Sequence, residues 1–474
     1  MASTQAGHDT RITRGGVLTL LKEAVRGSEQ DFTEGALGRA VFMLSIPMIL
    51  EMSMESVFGI LDVFFVGRLG AAAVAAVGVT ESLLTLVFAL ALGLSMSTTA
   101  MVARRIGEKD AEAAALTAVQ AIVLGVLASL PAALVGALWP RQLLALMGAD
   151  AAVADTGWAY TAWILGGNAT ILLLFLINAI FRGAGDASVA MRSLWLANGV
   201  NIVLDPCLIF GLGPFPELGI TGAAIGTTVG RASGVVYQLH ALARGSGRLL
   251  IRRRHLRLDA RILLRLLRVS LGGILQFVIA TASWLGLVRI LTPFGSAALA
   301  GYTIALRIIV VAILPSWGMS NAVATLVGQN LGAGKPERAE RSVWLTGVLN
   351  MLFLAGVAAV FILFAEPLVR AFSADAAVQQ LAATCLRVVS YGYVFYAWGM
   401  VTVQAFNGAG DTTTPTWINV FCYWLFQIPL AWLLARELAM GPLGVFLAIT
   451  ISESVTALVG VWFFRRGAWK ERVV

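Results

Sequence analysis

Charge is scarce along this chain. Asp, Glu, Lys and Arg make up 13% of its 474 residues, about half the share of an ordinary soluble domain, and a typical cytosolic fold of this length is thereby excluded. Histidine and cysteine are scarcer still, with three of each. His8, His240 and His255 are scattered, and no HExxH, GxSxG or metal-ligand cluster occurs, so an enzyme would lack its constellation. Cys207, Cys385 and Cys422 show no ligand-like spacing; helix packing, not a disulfide framework, is their expected role. The alternating ten-residue segments of a transmembrane β-barrel are missing too. Residues 1–38 lack the apolar core and cleavage pattern of a signal peptide, and a cytoplasmic arm or interfacial helix is expected there.

What the chain has in abundance is apolar sequence, 58% of the total. It falls into stretches long enough for the roughly 20 residues that a bilayer requires. Twelve helices are expected, at 41–66, 71–103, 113–138, 156–181, 187–211, 218–241, 262–291, 297–328, 341–365, 378–407, 413–436 and 441–464. The chain also repeats itself. Phe181-Arg182-Gly183-Ala184-Gly185-Asp186 returns as Phe406-Asn407-Gly408-Ala409-Gly410-Asp411, and Gly70, Gly93, Ser95 and Gly107 return as Gly295, Gly318, Ser320 and Gly332. Every pair shares an offset of 225 positions (295 minus 70). The fold class implied is an all-α polytopic membrane protein with two six-helix lobes, a duplication typical of transporters. Its expected divisions are an N-terminal arm (1–38), a first lobe (39–241), a basic linker (242–261), a second lobe (262–465) and a tail (466–474).

The net charge of +8 does not signal nucleic acid, because its distribution follows the membrane. With the N-terminus inside, only Arg68, Arg141, Arg370 and Arg436 fall in outer loops, while 241–268 alone carries nine arginines, from Arg244 to Arg268. This positive-inside bias places both termini in the cytoplasm. An even number of helices per lobe inserts both lobes in the same orientation, related by a pseudo-two-fold along the membrane normal with a cavity between them. Anionic lipid headgroups are the expected contacts of the basic linker.

Carboxylates inside a span cost about 2.5–3.5 kcal/mol each on insertion scales, and the first helix has three: Glu51, Glu55 and Asp62. At roughly 100° per residue, Glu55 lies about 40° and Asp62 about 20° from Glu51, so all three share one stripe. Helix five adds Asn201 and Asp205 on one face, and helix six adds Thr227. Topology puts Asp62 and Asp205 in the outer halves of parallel helices, a set of groups suited to Na⁺ or to a proton. Glu51 and Glu55 lie lower on the stripe, as a substrate contact or proton relay, or as partners of a basic group. The second lobe lacks this chemistry: at the same offset Glu51, Glu55 and Asp62 become Gln276, Ala280 and Leu287, and Asn201 and Asp205 become Phe426 and Leu430. It has Arg289, Arg307 and Arg387 instead, with Glu453 in the last helix. Pairing with an acid of another helix is expected for Arg307, the alternative being an anchor at an interface or a gate.

The phrases IPMIL and LDVFFVGRLG in helix one, NIVLDPCLIFG in helix five, VGQNLGAGKPERA after helix eight and the two FxGAGD connections resemble the multidrug and toxic compound extrusion (MATE) family, over about residues 38–465. The likeness is to its prokaryotic branch resembling the DNA-damage-inducible F proteins. It implies a V-shaped pair of lobes exporting organic compounds by alternating access, driven by H⁺ or Na⁺ entry. It further implies a cation or proton site at Asp62, Asn201, Asp205 and Thr227, and a bending role for Pro47. Helix seven offers only Gln276 where another bacterial branch has an acid.

The expected activity is therefore secondary antiport of amphipathic or cationic organic compounds, with no cofactor beyond the coupling ion, Na⁺ being possible at Asp62, Asn201 and Asp205. A monomer with membrane lipids and small organic substrates as partners, and no nucleic acid, is expected. The alternative is a flippase for lipid-linked oligosaccharide or another lipid. Its cavity should be basic, whereas this first lobe is acidic. Met43, Met48, Met52, Met54 and Phe58 on helix one suit an adaptable lining, although ordinary packing accounts for most of them.

Overall fold

A computed structural model describes residues 14–27, 30–245 and 248–472. Residues 1–13 of the expected arm, with His8, lie outside the described residues, as do 28–29, the linker positions 246–247, and 473–474 of the tail. The arm contributes helix α1 (Arg14–Arg26). Six long segments follow: α2 (Leu37–Gly67), α3 (Ala71–Gly107), α4 (Ala111–Leu138), α5 (Ala151–Ala184), α6 (Ala187–Phe210) and α7 (Ile220–Arg244). After the linker the second six are α8 (Ala260–Leu291), α9 (Ser296–Gly332), α10 (Pro336–Arg370), α11 (Ala376–Ser390 and Tyr393–Gly408), α12 (Thr413–Glu437) and α13 (Pro442–Arg465). Among the described residues nine of these are long and apolar enough to cross a bilayer by length and composition. The other three are α2, with its acids, α7, rich in Gly and Thr, and the interrupted α11.

The starts are written locally. Asp110, Asp150, Asp259 and Asp375 cap α4, α5, α8 and α11 by accepting backbone N–H bonds of 2.8–2.9 Å from the first turn, which satisfies donors the helix itself cannot. Gly70 and Gly295, the repeat partners that open α3 and α9, both sit at φ +95°, a conformation that penalises any side chain.

Two departures from the expected helices concern continuity. α5 is broken at Gly167–Asn168, and α11 at Tyr391–Gly392; Gly167 and Gly392 are themselves 225 positions apart, so the interruption belongs to the repeat. In the first case the Asn168 amide donates 3.2 Å to the Ser129 carbonyl of α4, fixing the break by a contact that local periodicity does not reveal. Second, α12 winds in wide π-type turns over Val420–Gln427 and Leu433–Glu437, where a plain helix is expected. Pro47 is buried inside α2, which stays helical through it.

The halves meet through α2, α3, α8 and α9, and their closest approaches obey the pseudo-two-fold. A Cβ on Gly93 would overlap Ile274, and one on its mate Gly318 would overlap the Met48 carbonyl next to Ile49. Likewise Gly107 faces the Gln329 carbonyl while its mate Gly332 faces the Arg104 carbonyl. Side chains tie the same end: Ser97 and Ser270 hydroxyls are 2.6 Å apart, Thr325 donates 2.9 Å to the Arg182 carbonyl, and Gln329 donates 2.9 Å to that of Gly183. This end carries the linker and Arg472, whose carbonyl accepts 2.9 Å from Arg104, and is called the basic face below. Toward the opposite face the last hydrogen bond between halves among the described residues is Ser56 to the Val311 carbonyl, 3.3 Å. Beyond it Ile60, Val63 and Phe64 of α2 are exposed. The V is closed at the basic face and opens away from it.

Candidate functional site

The first half owes its polar site to glycines. Along α7, Gly222, Gly226, Gly230 and Gly234 recur every fourth residue, and Cβ atoms on them would meet Leu208, Asp205, Ala197 and Ser193 of α6. Small residues at this spacing let two membrane helices touch along their backbones. Asp205 and Asn201 of α6 are thereby pressed against α7, with exposures of only 1% and 3%. The Asn201 amide donates to Asp205 Oδ1 (2.9 Å) and to Thr227 Oγ1 (3.0 Å). Its own Oδ1 is buried with no donor. Pro206 follows directly inside the helix and withholds the N–H that would bond the Ile202 carbonyl. A carboxylate, a hydroxyl and an unfilled amide oxygen thus converge, all of them ligand types that hard cations accept.

Asp62 lies nearby but apart from this bonded set. It is half-buried, forms no hydrogen bond or ion pair among the described residues, and is within electrostatic range of Asp205, Glu81 and Arg231. Asn201, Asp205 and Thr227 are therefore joined in one network, and Asp62 acts on Asp205 through its charge and not through a bond. No group of three or more His, Cys, Asp or Glu able to hold a metal occurs among the described residues.

The two glutamates of α2 are each met by an amide from another helix. Glu55 accepts 3.1 Å from Asn198 of α6. Glu51, 1% exposed, accepts 3.0 Å from Asn178 and pairs with Arg182 at 3.3 Å, both from α5, while its Oε2 has no donor. Asn178 in turn accepts from Ser193 (2.9 Å) and Gln238 (2.6 Å). The sequence leaves Glu51 open between a substrate contact or proton relay and a partner of a basic group, and the structure places Arg182 beside it as such a base. Sequence reasoning missed Asn178, Arg182 and Asn198, although Asn198, Asn201 and Asp205 recur at intervals of three and four on one face. Arg307 is exposed, and among the described residues no ion pair joins it to another helix; Glu81 is within electrostatic range. Arg387 pairs with Glu366 at 3.0 Å.

Removing one partner of a buried pair strands the other charge, at a cost of about 3–5 kcal/mol. Glu51→Gln should therefore lower the thermal unfolding midpoint in detergent sharply, and adding Arg182→Gln should restore most of the loss. A double variant as unstable as the single one would show that the pair is not a structural unit.

Between the halves lies a cavity of about 450 Å³. Met52, Glu55, Phe88, Phe175 and Arg182 line it from the first half, and Phe277, Trp317, Asn321, Gln404 and Asn407 from the second. Of the methionines on α2 only Met52 reaches this lining, while Met43 and Met48 pack in the core where the halves meet. Arg182 is occupied by Glu51, and Glu55 is the acid in the lining that forms no ion pair among the described residues, with Arg231 in electrostatic range.

Known proteins resemble this chain in sequence and in fold. The family model MatE matches twice, at residues 47–207 and 273–433. A probable multidrug resistance protein NorM of Thermotoga maritima is 24% identical over 92% of this chain and 94% of its own. The multidrug export protein MepA of Staphylococcus aureus is 22% identical over 91% and 94%, and an FAD transporter of Shewanella oneidensis is 25% identical over 91% and 95%. A solved multidrug resistance MATE family transporter in its outward-facing conformation superposes with a TM-score of 0.88 at 27% identity, covering 94% of this chain and 99% of that one. With two matched repeats spanning more than half its length, this chain belongs to the MatE family and is a multi-pass membrane transporter, not an enzyme.

Proposed function

We propose that the chain is a secondary antiporter that exports amphipathic, cationic organic compounds by alternating access, coupled to entry of H⁺ or Na⁺ through Asp62, Asn201, Asp205 and Thr227. The observation that carries this reading is the buried, unfilled Asn201 Oδ1 beside the Asp205 carboxylate. A buried acceptor without a donor is unfavourable; a cation bridging it to Asp205, or a proton on Asp205, removes that cost. The carboxylates serve the coupling ion in the first lobe (39–241), and the second lobe (262–465) completes the path. Glu55 meets the cationic part of the substrate and the aromatic wall its apolar body. Relatives named for multidrug resistance and export support the substrate class.

In this reading the protein is a monomer in the bacterial inner membrane, with both termini and the linker 242–261 in the cytoplasm among anionic headgroups. Pro47 eases bending of α2 between states. A lipid flippase would need unpaired bases in its cavity to hold a pyrophosphate, and Arg182, the base in the lining, is committed to Glu51. The test is transport of ethidium in proteoliposomes, with ΔpH and a Na⁺ gradient imposed separately. One gradient should drive uphill movement and the other should not. Movement that follows only the ethidium gradient under both conditions refutes coupling.

A further inference from the structure

Residues 31–35, ahead of α2, are not an idle loop. Phe32, 2% exposed, sits at the seam of the halves: a Cβ on Gly185 of the first would lie 2.8 Å from its ring and 3.2 Å from the Gln329 amide of the second. The Arg248 guanidinium lies 5.0 Å from the Phe32 ring centre. A turn holds the segment, with Thr33 donating to Asp31 through N–H (2.9 Å) and hydroxyl (2.6 Å). The grip comes from the other half. Arg338, on the first turn of α10, donates to the carbonyls of Phe32 (3.3 Å), Glu34 (2.8 Å) and Gly35 (2.9 Å), and Lys335 donates 3.0 Å to that of Thr33.

A second connection follows the same plan. The linker residues just before α8 are gripped by α4 of the first half. Gln120 donates 2.7 Å to the Arg257 carbonyl and accepts 3.1 Å from the Asp259 N–H, and Glu112 holds Arg254 and His255. Each half is thus preceded by a segment bound by the opposite half, and α4 and α10 are repeat mates. Both ties lie on the basic face, where the halves touch, and neither lies on the open side.

We propose that residues 31–35 are a strap whose capture by Arg338 latches the basic face shut, so that opening to that side requires the guanidinium to release its carbonyls. This rests on the alternating-access reading above, because a latch matters only if the face opens. Charge-assisted hydrogen bonds are stronger than neutral ones, and the minor state of a two-state protein is commonly populated at the per cent level, so one arginine is enough to shift the balance.

The experiment places spin labels at Ala111→Cys and Glu337→Cys, exposed first-turn positions of α4 and α10, with Cys207, Cys385 and Cys422 replaced by Ala. Distances are read by pulsed electron spin resonance in lipid nanodiscs. Arg338→Ala should raise the ratio of long to short distances about tenfold, Phe32→Ala should act in the same direction, and Arg338→Lys, which keeps the charge but not the fork, should fall between. Distributions for Arg338→Ala and Phe32→Ala that coincide with the parent would overturn the strap. A parent that keeps one distance at every pH, Na⁺ and ethidium concentration, while Arg338→Ala adds the long one, supports the strap and counts against alternating access in the parent.

Discussion

Asp205→Asn should reduce gradient-driven efflux to the level of protein-free vesicles while leaving the unfolding midpoint nearly unchanged. The substitution preserves volume, and an Asn oxygen can still accept the 2.9 Å bond from Asn201. What disappears is the charge that attracts a cation and the site that takes a proton, so the ion no longer distinguishes two lobe arrangements. Asp62→Asn should have the same effect by a different route. Asp62 gives nothing to the hydrogen-bond network, so its loss removes only charge facing the cluster. If the carboxylates act as one unit, the double variant should be no worse than either single one. Asp205→Glu is a sharper probe, because Gly226 packs directly against the carboxylate and an added methylene has no room. Undiminished coupled transport by both Asn variants would sink the assignment. A loss confined to Asp205→Asn would restrict the site to Asn201, Asp205 and Thr227.

The parts of this arrangement legible in the sequence are those where cost or repetition speaks. Asp205 and Asn201 stand out because polar groups within a span need partners, and their spacing of four puts them on one face. The duplication is visible because Gly93, Gly107, Gly318 and Gly332 keep one offset, and the structure gives the reason: each occupies a mated contact between halves. Other features depend on which face of one helix turns toward another. Asn178 and Arg182 belong to an apolar helix whose rotation is set by packing, so their meeting with Glu51 could not be read from spacing. The glycine ladder Gly222–Gly226–Gly230–Gly234 was present in the sequence, but it identifies a contact surface without naming its partner. Arg338 shows the limit most plainly: its partners are backbone carbonyls some 300 positions away, and any residue except one that distorts the chain supplies a carbonyl.

Gly107→Val and Gly332→Val are expected to abolish transport equally, although neither residue touches the cavity or the ion site. At both positions the neighbour is a backbone carbonyl of the opposite half, Gln329 or Arg104, which cannot rotate aside as a side-chain tip could. Overpacking of this kind costs about 3 kcal/mol, roughly a hundredfold in the population of the closed state. The penalty falls between the halves and not within one, so each six-helix half keeps its core and the protein should still be made and inserted. The basic face would instead be held apart, and labels at Ala111 and Glu337 should report the long distance. The pseudo-two-fold makes the prediction stringent, since mated positions must behave alike: an inert Gly107→Val beside a defective Gly332→Val would contradict the symmetric closure. Gly78→Ala and Gly356→Ala are the controls. Both lie in helices with nothing within 4 Å of a Cβ, and alanine there should transport normally with slightly greater stability. If both valine variants transport at the parent rate, closure at the basic face is not a step of the cycle.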